Sequence, residues 1–167
     1  MYENEPNRDW LYPGDILVDL DLPNLRRDDF LLLSESDPPR KYSVRLMMNN
    51  EFFVYMSHDC DFNSNKRQFF ILAPMLNIDY GLKRNPDDFQ RFKDSNDITT
   101  SAHYLNTFYF AANPPALPED KRIDFTRIIS FPVNQRGKLL EKKVLQLDQQ
   151  HRGLIKQKVG YYFLHEE

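Results

Sequence analysis

The sequence predicts an α+β domain in which a small curled antiparallel sheet carries an inserted short helix and a C-terminal helix. Several short apolar segments have the pattern of strands and are separated by turn residues. Helical patterns occur in only two segments, 84–97 and 149–163. The length of 167 residues and the 41% hydrophobic content fit a single folded domain over 1–167.

Four strands are predicted in the N-terminal half. Residues 14–22 alternate apolar side chains with aspartates, which is typical of a half-buried strand. A second strand over 42–48 turns through Asn49-Asn50 into a third over 52–62, because asparagine tolerates positive φ. Residues 68–74 form a fourth strand that is apolar enough to be central.

The C-terminal half is predicted to add both helices. Pro86 and the acids after it suit the first turn of the helix over 84–97. Asp148 is placed to cap the helix over 149–163. The further predicted strands are 104–111, 122–132 and 142–147.

The domain organisation is expected to be simple. Residues 1–10 are a candidate flexible tail, and 81–103 are an insertion between strands. No apolar run approaches the roughly 18 residues of a membrane span, and the polar first residues are unlike a secretory signal. One cysteine fits a reducing compartment, so we expect a cytoplasmic protein and no membrane partner.

Charge is unevenly distributed around a net charge of −3. Residues 1–40 carry ten acids and four bases, whereas 121–158 carry ten bases and three acids. The low net charge does not favour a general nucleic-acid binder. The basic region is either a binding face or a solvated surface. The side chains that could line a phosphate track are Lys138, Lys142, Lys143, Arg152 and Lys156.

The stretch FFVYMSHDCDFN holds the main candidate for chemistry, because an apolar strand runs into His58, Asp59, Cys60 and Asp61. In an extended strand the histidine and cysteine share one face and the aspartates share the other. His58 and Cys60, with His103 from another segment, could therefore hold zinc or another divalent metal. We otherwise expect no cofactor.

Two other interpretations of these residues stay open. Cys60 could be a nucleophile with His103 as its base, or a small buried hydrophobe. Asp59 and Asp61 could cap the turn that follows. In each case we expect the loop over 57–65 to be a functional edge. The candidate binding residues there and just beyond are Ser57, Asn63, Lys66 and Arg67.

Three motifs between residues 12 and 76 resemble the PemK/MazF-like toxin family. Gly14-Asp15-Ile16 matches its first strand, Val54, Ser57 and Asn63 match its second, and Ala73-Pro74 matches its third. The resemblance implies an SH3-like barrel and a setting in toxin–antitoxin systems or phage defence.

The catalytic residues of that family are missing. Glu51-Phe52 stands where the family has an Arg-Pro pair, and Leu76 stands where it has Thr or Ser. An anion in place of the arginine would repel the charge that develops during RNA cleavage.

The sequence therefore favours a non-catalytic interaction module that binds a protein partner or nucleic acid. It does not indicate the oligomeric state. The alternative is a small metal-dependent hydrolase of the nuclease type. In it, His58, Asp59 and Asp61 would be metal ligands or acid–base groups, and Lys66 or Arg67 would contact phosphate.

Overall fold

The computed structural model of the chain describes residues 1–20, 52–58, 68–100 and 103–164. These residues form eight strands in two antiparallel sheets and four α-helices, which confirms the predicted α+β class. Of the two predicted architectures, a small curled sheet with helices fits, because the described strands do not close into a barrel. No helix within these ranges is both long and apolar enough to cross a membrane.

A five-stranded sheet has the order β7-β3-β2-β1-β8, and a three-stranded sheet has the order β4-β6-β5. In the larger sheet, Ile16 of β1 lies opposite Val54 of β2, which lies opposite Ala73 of β3. The strands are β1 (Ile16–Val18), β2 (Phe52–Tyr55), β3 (Phe69–Pro74), β4 (Leu76–Asn77), β5 (Thr107–Phe110), β6 (Lys121–Asp124), β7 (Ile129–Pro132) and β8 (Lys143–Leu145).

The helices cover both sheets. The helices are α1 (Tyr80–Arg84), α2 (Pro86–Asp94), α3 (Arg136–Glu141) and α4 (Gln149–Leu164). The predicted start of the inserted helix is confirmed for α2, since the Asn85 side chain accepts hydrogen bonds from the backbone N–H groups of Asp87 and Asp88. The chain forms two helices there, because Asn85 is extended and ends α1 before Pro86 begins α2.

Both faces of the five-stranded sheet are buried. One face, with Ile16 and Val54, packs against Phe108 of the smaller sheet and Ile155 of α4. The other face packs against Leu11 and the α3 residue Leu139. A third cluster joins α2 to β5 through Phe92 and Tyr109. The layers therefore place α2 and α4 on the side of the molecule that carries the smaller sheet.

The first strand, predicted as half-buried over 14–22, is confirmed only over Ile16–Val18 and is more buried than predicted, and residues 21–22 lie outside the described ranges. The strand ends at Val18 because Asp19 adopts a φ of 47°, the left-handed region that ends an extended run. Leu17 is as fully buried as Ile16, since α3 and the N-terminal segment cover the second face of the sheet. Of the aspartates in this segment, Asp15 is buried just before the strand and Asp19 ends it.

The single predicted strand over 122–132 is two strands in different sheets. β6 pairs with β4 and β5, whereas β7 pairs with β3. Between them the Asp124 carboxylate accepts hydrogen bonds from the backbone N–H and hydroxyl of Thr126. This side-chain turn redirects the chain from one sheet to the other.

Gly14 is the position where only glycine fits. Its φ is 95°, and a Cβ there would lie 2.3 Å from Leu147 Cδ1. We expect Gly14→Ala to lower the free energy of unfolding by about 2–4 kcal/mol through backbone strain and overpacking. Gly153→Ala in α4 is the matched control, since a Cβ there meets nothing within 4 Å and should stabilise the helix by about 1 kcal/mol. Urea denaturation of both variants measures the difference, and equal effects would contradict this account.

Candidate functional site

The predicted functional loop is described only at its start. Ser57 is buried, and its Oγ accepts a hydrogen bond from the backbone N–H of Ile71 at 2.7 Å, which ties the end of β2 to β3. His58 is exposed just beyond. The other candidates of this region lie outside the described residues: Asp59, Cys60, Asp61, Asn63, Lys66 and Arg67.

The Gly14-Asp15-Ile16 motif has a structural role in this chain. The Asp15 carboxylate lies 2.6 Å from Lys143 Nζ, and both side chains are fully buried. The same amine donates to the backbone oxygens of Asn7 and Trp10 at 2.8 and 3.0 Å, and to Gln146 Oε1 at 2.8 Å. The amine therefore joins β1, β8 and the N-terminal segment at one point.

Lys143 was also a candidate for a phosphate track, and the structure contradicts that role because phosphate could not reach a sealed amine. Arg152, another candidate, lies 3.5 Å from Glu3 and stacks over the Tyr12 ring. Of the other basic side chains of 121–158, Lys121 and Arg122 form ion pairs with Glu119 and Asp79. Much of the basic charge is thus engaged within the fold.

Burial acts against the charges of the Asp15–Lys143 pair. Desolvation raises the pKa of Asp15 to about 6, although Lys143 and the backbone N–H of Tyr12 act to lower it. Desolvation likewise lowers the pKa of Lys143, although Asp15 opposes the shift. Asp15 Oδ1 accepts no hydrogen bond from any described residue. The attraction between the two charges therefore does not fully offset the free-energy cost of removing them from water.

A cleft of about 670 Å³ lies between the end of α2, β5 and the first turns of α4. Tyr109 and Asn96 are its buried members, Met1 and Leu154 are half-buried, and Arg91 at its edge is 71% exposed. Both signs of charge are present. The lining residues are Met1, Arg91, Lys93, Asp94, Asn96, Asp97, Thr100, His103, Tyr109, Gln150, His151 and Leu154.

His151 enters the cleft from the first turn of α4, where Asp148 orients it. The Asp148 carboxylate accepts a hydrogen bond from the backbone N–H of His151 at 2.8 Å, which confirms the predicted cap. Nδ1 of His151 lies 2.7 Å from the same oxygen. A ligand that binds this imidazole would therefore use Nε2, the arrangement of a histidine positioned by a carboxylate.

The Asp148 carboxylate stays ionised through most of the pH range. Desolvation acts to raise its pKa, but the hydrogen bonds from His151 and from the amino group of Met1 lower it to about 2. On the opposite wall, hydrogen bonds from the hydroxyl and backbone N–H of Thr99 hold the pKa of Asp97 below its usual value. Asp97 in the lining and Asp148 behind His151 are thus both negatively charged near neutral pH.

Asn96 fastens the wall of the cleft to the smaller sheet. Its amide donates to the Tyr109 backbone oxygen at 2.8 Å, and its carbonyl accepts from the Tyr109 N–H at 2.7 Å. These two hydrogen bonds have the pattern that the backbone of a neighbouring strand would form with Tyr109. Because β5 is an edge strand, Asn96 also covers backbone groups that would otherwise pair with another chain.

His103 is exposed and lines the cleft, whereas His58 is not among the residues that line it. Within the described ranges, no group of three or more His, Cys, Asp or Glu side chains could hold a metal ion. The proposed metal set of His58, Cys60 and His103 includes Cys60, which lies outside those ranges.

Ser95 and Lys158 have the composition of a nucleophile and its base, but their geometry is structural. Lys158 Nζ lies 3.3 Å from Ser95 Oγ and also donates to the Ser95 backbone oxygen. The hydroxyl itself donates to the Phe92 backbone oxygen at 2.7 Å, and Ser95 is only 1% exposed. A substrate could not reach this oxygen, so we assign it no catalytic role.

No model of a known protein family matches the chain, and no curated protein is significantly similar to it. The resemblance to PemK/MazF-like toxins therefore stays a prediction.

Some residues of the cleft carried a signal in the sequence and others did not. Asp148 and His151 stand three positions apart at a helix start, a spacing at which a capping acid can meet a histidine side chain. Asn96 and Lys158 gave no local signal, since their partners lie 13 and 63 residues away.

The raised pKa of Asp15 makes a testable contribution to stability. The folded chain binds this proton more tightly than the unfolded chain, so the contribution is complete below about pH 4 and is lost as the pH rises through about 6. We expect the free energy of unfolding of the wild type, relative to Asp15→Asn, to fall by up to about 3 kcal/mol over this interval. Urea denaturation at several pH values measures it, and parallel profiles for the two proteins would contradict the prediction.

Proposed function

We propose that this chain is a binding module whose binding site is the cleft between α2 and α4, and that its partner is a protein. The observation that carries the proposal is the composition of the cleft: the buried Tyr109 and the half-buried Met1 and Leu154 lie beside an edge of mixed charge. Protein interfaces have this anatomy, with an apolar centre, a polar rim and enrichment in Tyr, Met and Arg.

The charge of the cleft favours a protein over nucleic acid. Arg91 and Lys93 are balanced by Asp94 and Asp97 within the same lining. A site for phosphate groups needs an excess of positive charge, because neutralised phosphates supply most of the binding free energy. The whole chain is also acidic, with a net charge of −3.

The alternative of a metal-dependent hydrolase built on His58, Asp59 and Asp61 stays a prediction. The described part of the chain places only His58, which is exposed. A setting in toxin–antitoxin systems or phage defence is likewise proposed through the family resemblance alone.

A photo-crosslinking amino acid tests the partner and the site together. Placed at Thr100, which is exposed at the cleft, it should join one discrete polypeptide to the chain in cells that naturally express it. Placed at Arg127, an exposed position outside the lining, it should not. Equal yields at both positions, or no joined polypeptide at Thr100, would contradict the proposal. A crosslinked product that nuclease digests would show that the partner is nucleic acid and not protein.

Reversing the basic edge should weaken this partner. Arg91→Glu combined with Lys93→Glu is expected to reduce the crosslinked yield at Thr100 about tenfold, since rim charges govern the rate of encounter. Arg127→Glu makes a charge reversal of the same kind elsewhere and should leave the yield unchanged. An unchanged yield in the double variant would show that the cleft edge does not meet the partner.

A further inference from the structure

Lys158 is a buried amine without a buried acid beside it. Its side chain is fully buried in α4, and no ion pair joins it to any acid in the described ranges. Its hydrogen bonds go to the backbone oxygen and hydroxyl of Ser95. A lone buried ammonium is costly unless it loses its proton or reaches water.

Ser95 is where α2 ends and the wall of the cleft begins. Its N–H donates to the Arg91 backbone oxygen at 3.0 Å, and its hydroxyl donates to that of Phe92. The next two residues, Asn96 and Asp97, line the cleft. The Lys158–Ser95 contact therefore joins α4 to the cleft wall across 63 residues of sequence.

We propose that the Lys158–Ser95 contact is a pH-sensitive latch, which holds the cleft wall against α4 while the amine is neutral and loosens when the amine is protonated. A role of the latch in regulating the cleft rests on the proposed function. The opening of the Lys158–Ser95 contact itself can be measured without a partner.

The surroundings of the amine set the direction of the effect. The charged groups nearest in sequence to the contact are Asp94 and Asp97 beside Ser95, and Arg152 and Lys156 on α4; no ion pair joins Lys158 to either acid. Tyr109 of β5 is bonded to Asn96, the residue after Ser95, and the pKa of its phenol is raised by burial and by Asp120. Desolvation alone lowers the pKa of Lys158 to about 7 from its ordinary 10.5.

The opened form, in which the amine meets water, binds its proton more tightly than the closed form. Between about pH 10 and pH 7, each unit of acidification should therefore raise the opening equilibrium about tenfold. Below about pH 7 both forms are protonated and the dependence ends. The latch is thus tightest in alkaline solution and loosest at and below neutral pH.

Amide hydrogen exchange followed by NMR tests the latch. The probes are the amides of Ser95, Asn96 and Tyr109, whose hydrogen bonds hold the wall. Their protection factors should rise about tenfold per unit between about pH 7 and pH 9 in the wild type. In Lys158→Met, which keeps the volume and removes the charge, they should not change with pH. Lys156→Met, at an exposed position two residues away, is the control and should behave as the wild type.

Two outcomes would overturn the latch: protection in the wild type that does not change with pH, or a pH dependence that persists in Lys158→Met. Should that variant fail to fold, an NMR titration of the Lys158 side chain in the wild type decides. Titration near pH 7 supports the latch, and titration near the ordinary value of lysine refutes it. The crosslinking result at Thr100 affects neither reading, so the two proposals fail separately.

Discussion

The buried ion pair of Asp15 and Lys143 is the constraint on which the arrangement of the molecule depends. It joins β1 to β8, and the lysine also holds the N-terminal segment through Asn7 and Trp10. Three residues after β8 ends, Asp148 caps α4. The pair therefore anchors the segment that leads directly into α4, one of the elements that form the cleft. Because burial shifts both pKa values toward the neutral forms, the pair specifies the arrangement more than it stabilises the fold.

Features that depend on neighbouring residues could be predicted from the sequence. The apolar run of β3 needed no partner to be recognised, since its composition already indicates a central strand. Asn85 and Pro86 indicate the start of α2, and Asp148 indicates the start of α4, because caps bind backbone groups only two or three residues away. The α+β class follows from the number and order of such local segments.

Features that depend on distant residues could not be predicted. The residues around Lys143 do not distinguish it from a solvated lysine. Its buried partner Asp15 lies 128 positions earlier in the chain. The end of β1 at Asp19 and the turn at Asp124 arise from backbone conformations that alternation of apolar residues does not reveal. The cleft combines α2, β5 and α4, so its residues show no common spacing along the chain.

A double-mutant cycle on the ion pair tests the central claim most directly. Asp15→Leu and Lys143→Met should each lower the free energy of unfolding by about 3–5 kcal/mol, because each leaves an unpaired group in the core. The double variant should be less destabilised than the sum of the two by about 2 kcal/mol or more, since apolar side chains can replace such a pair. Additive effects, or single variants that cost under about 1 kcal/mol, would show that the fold does not depend on this contact.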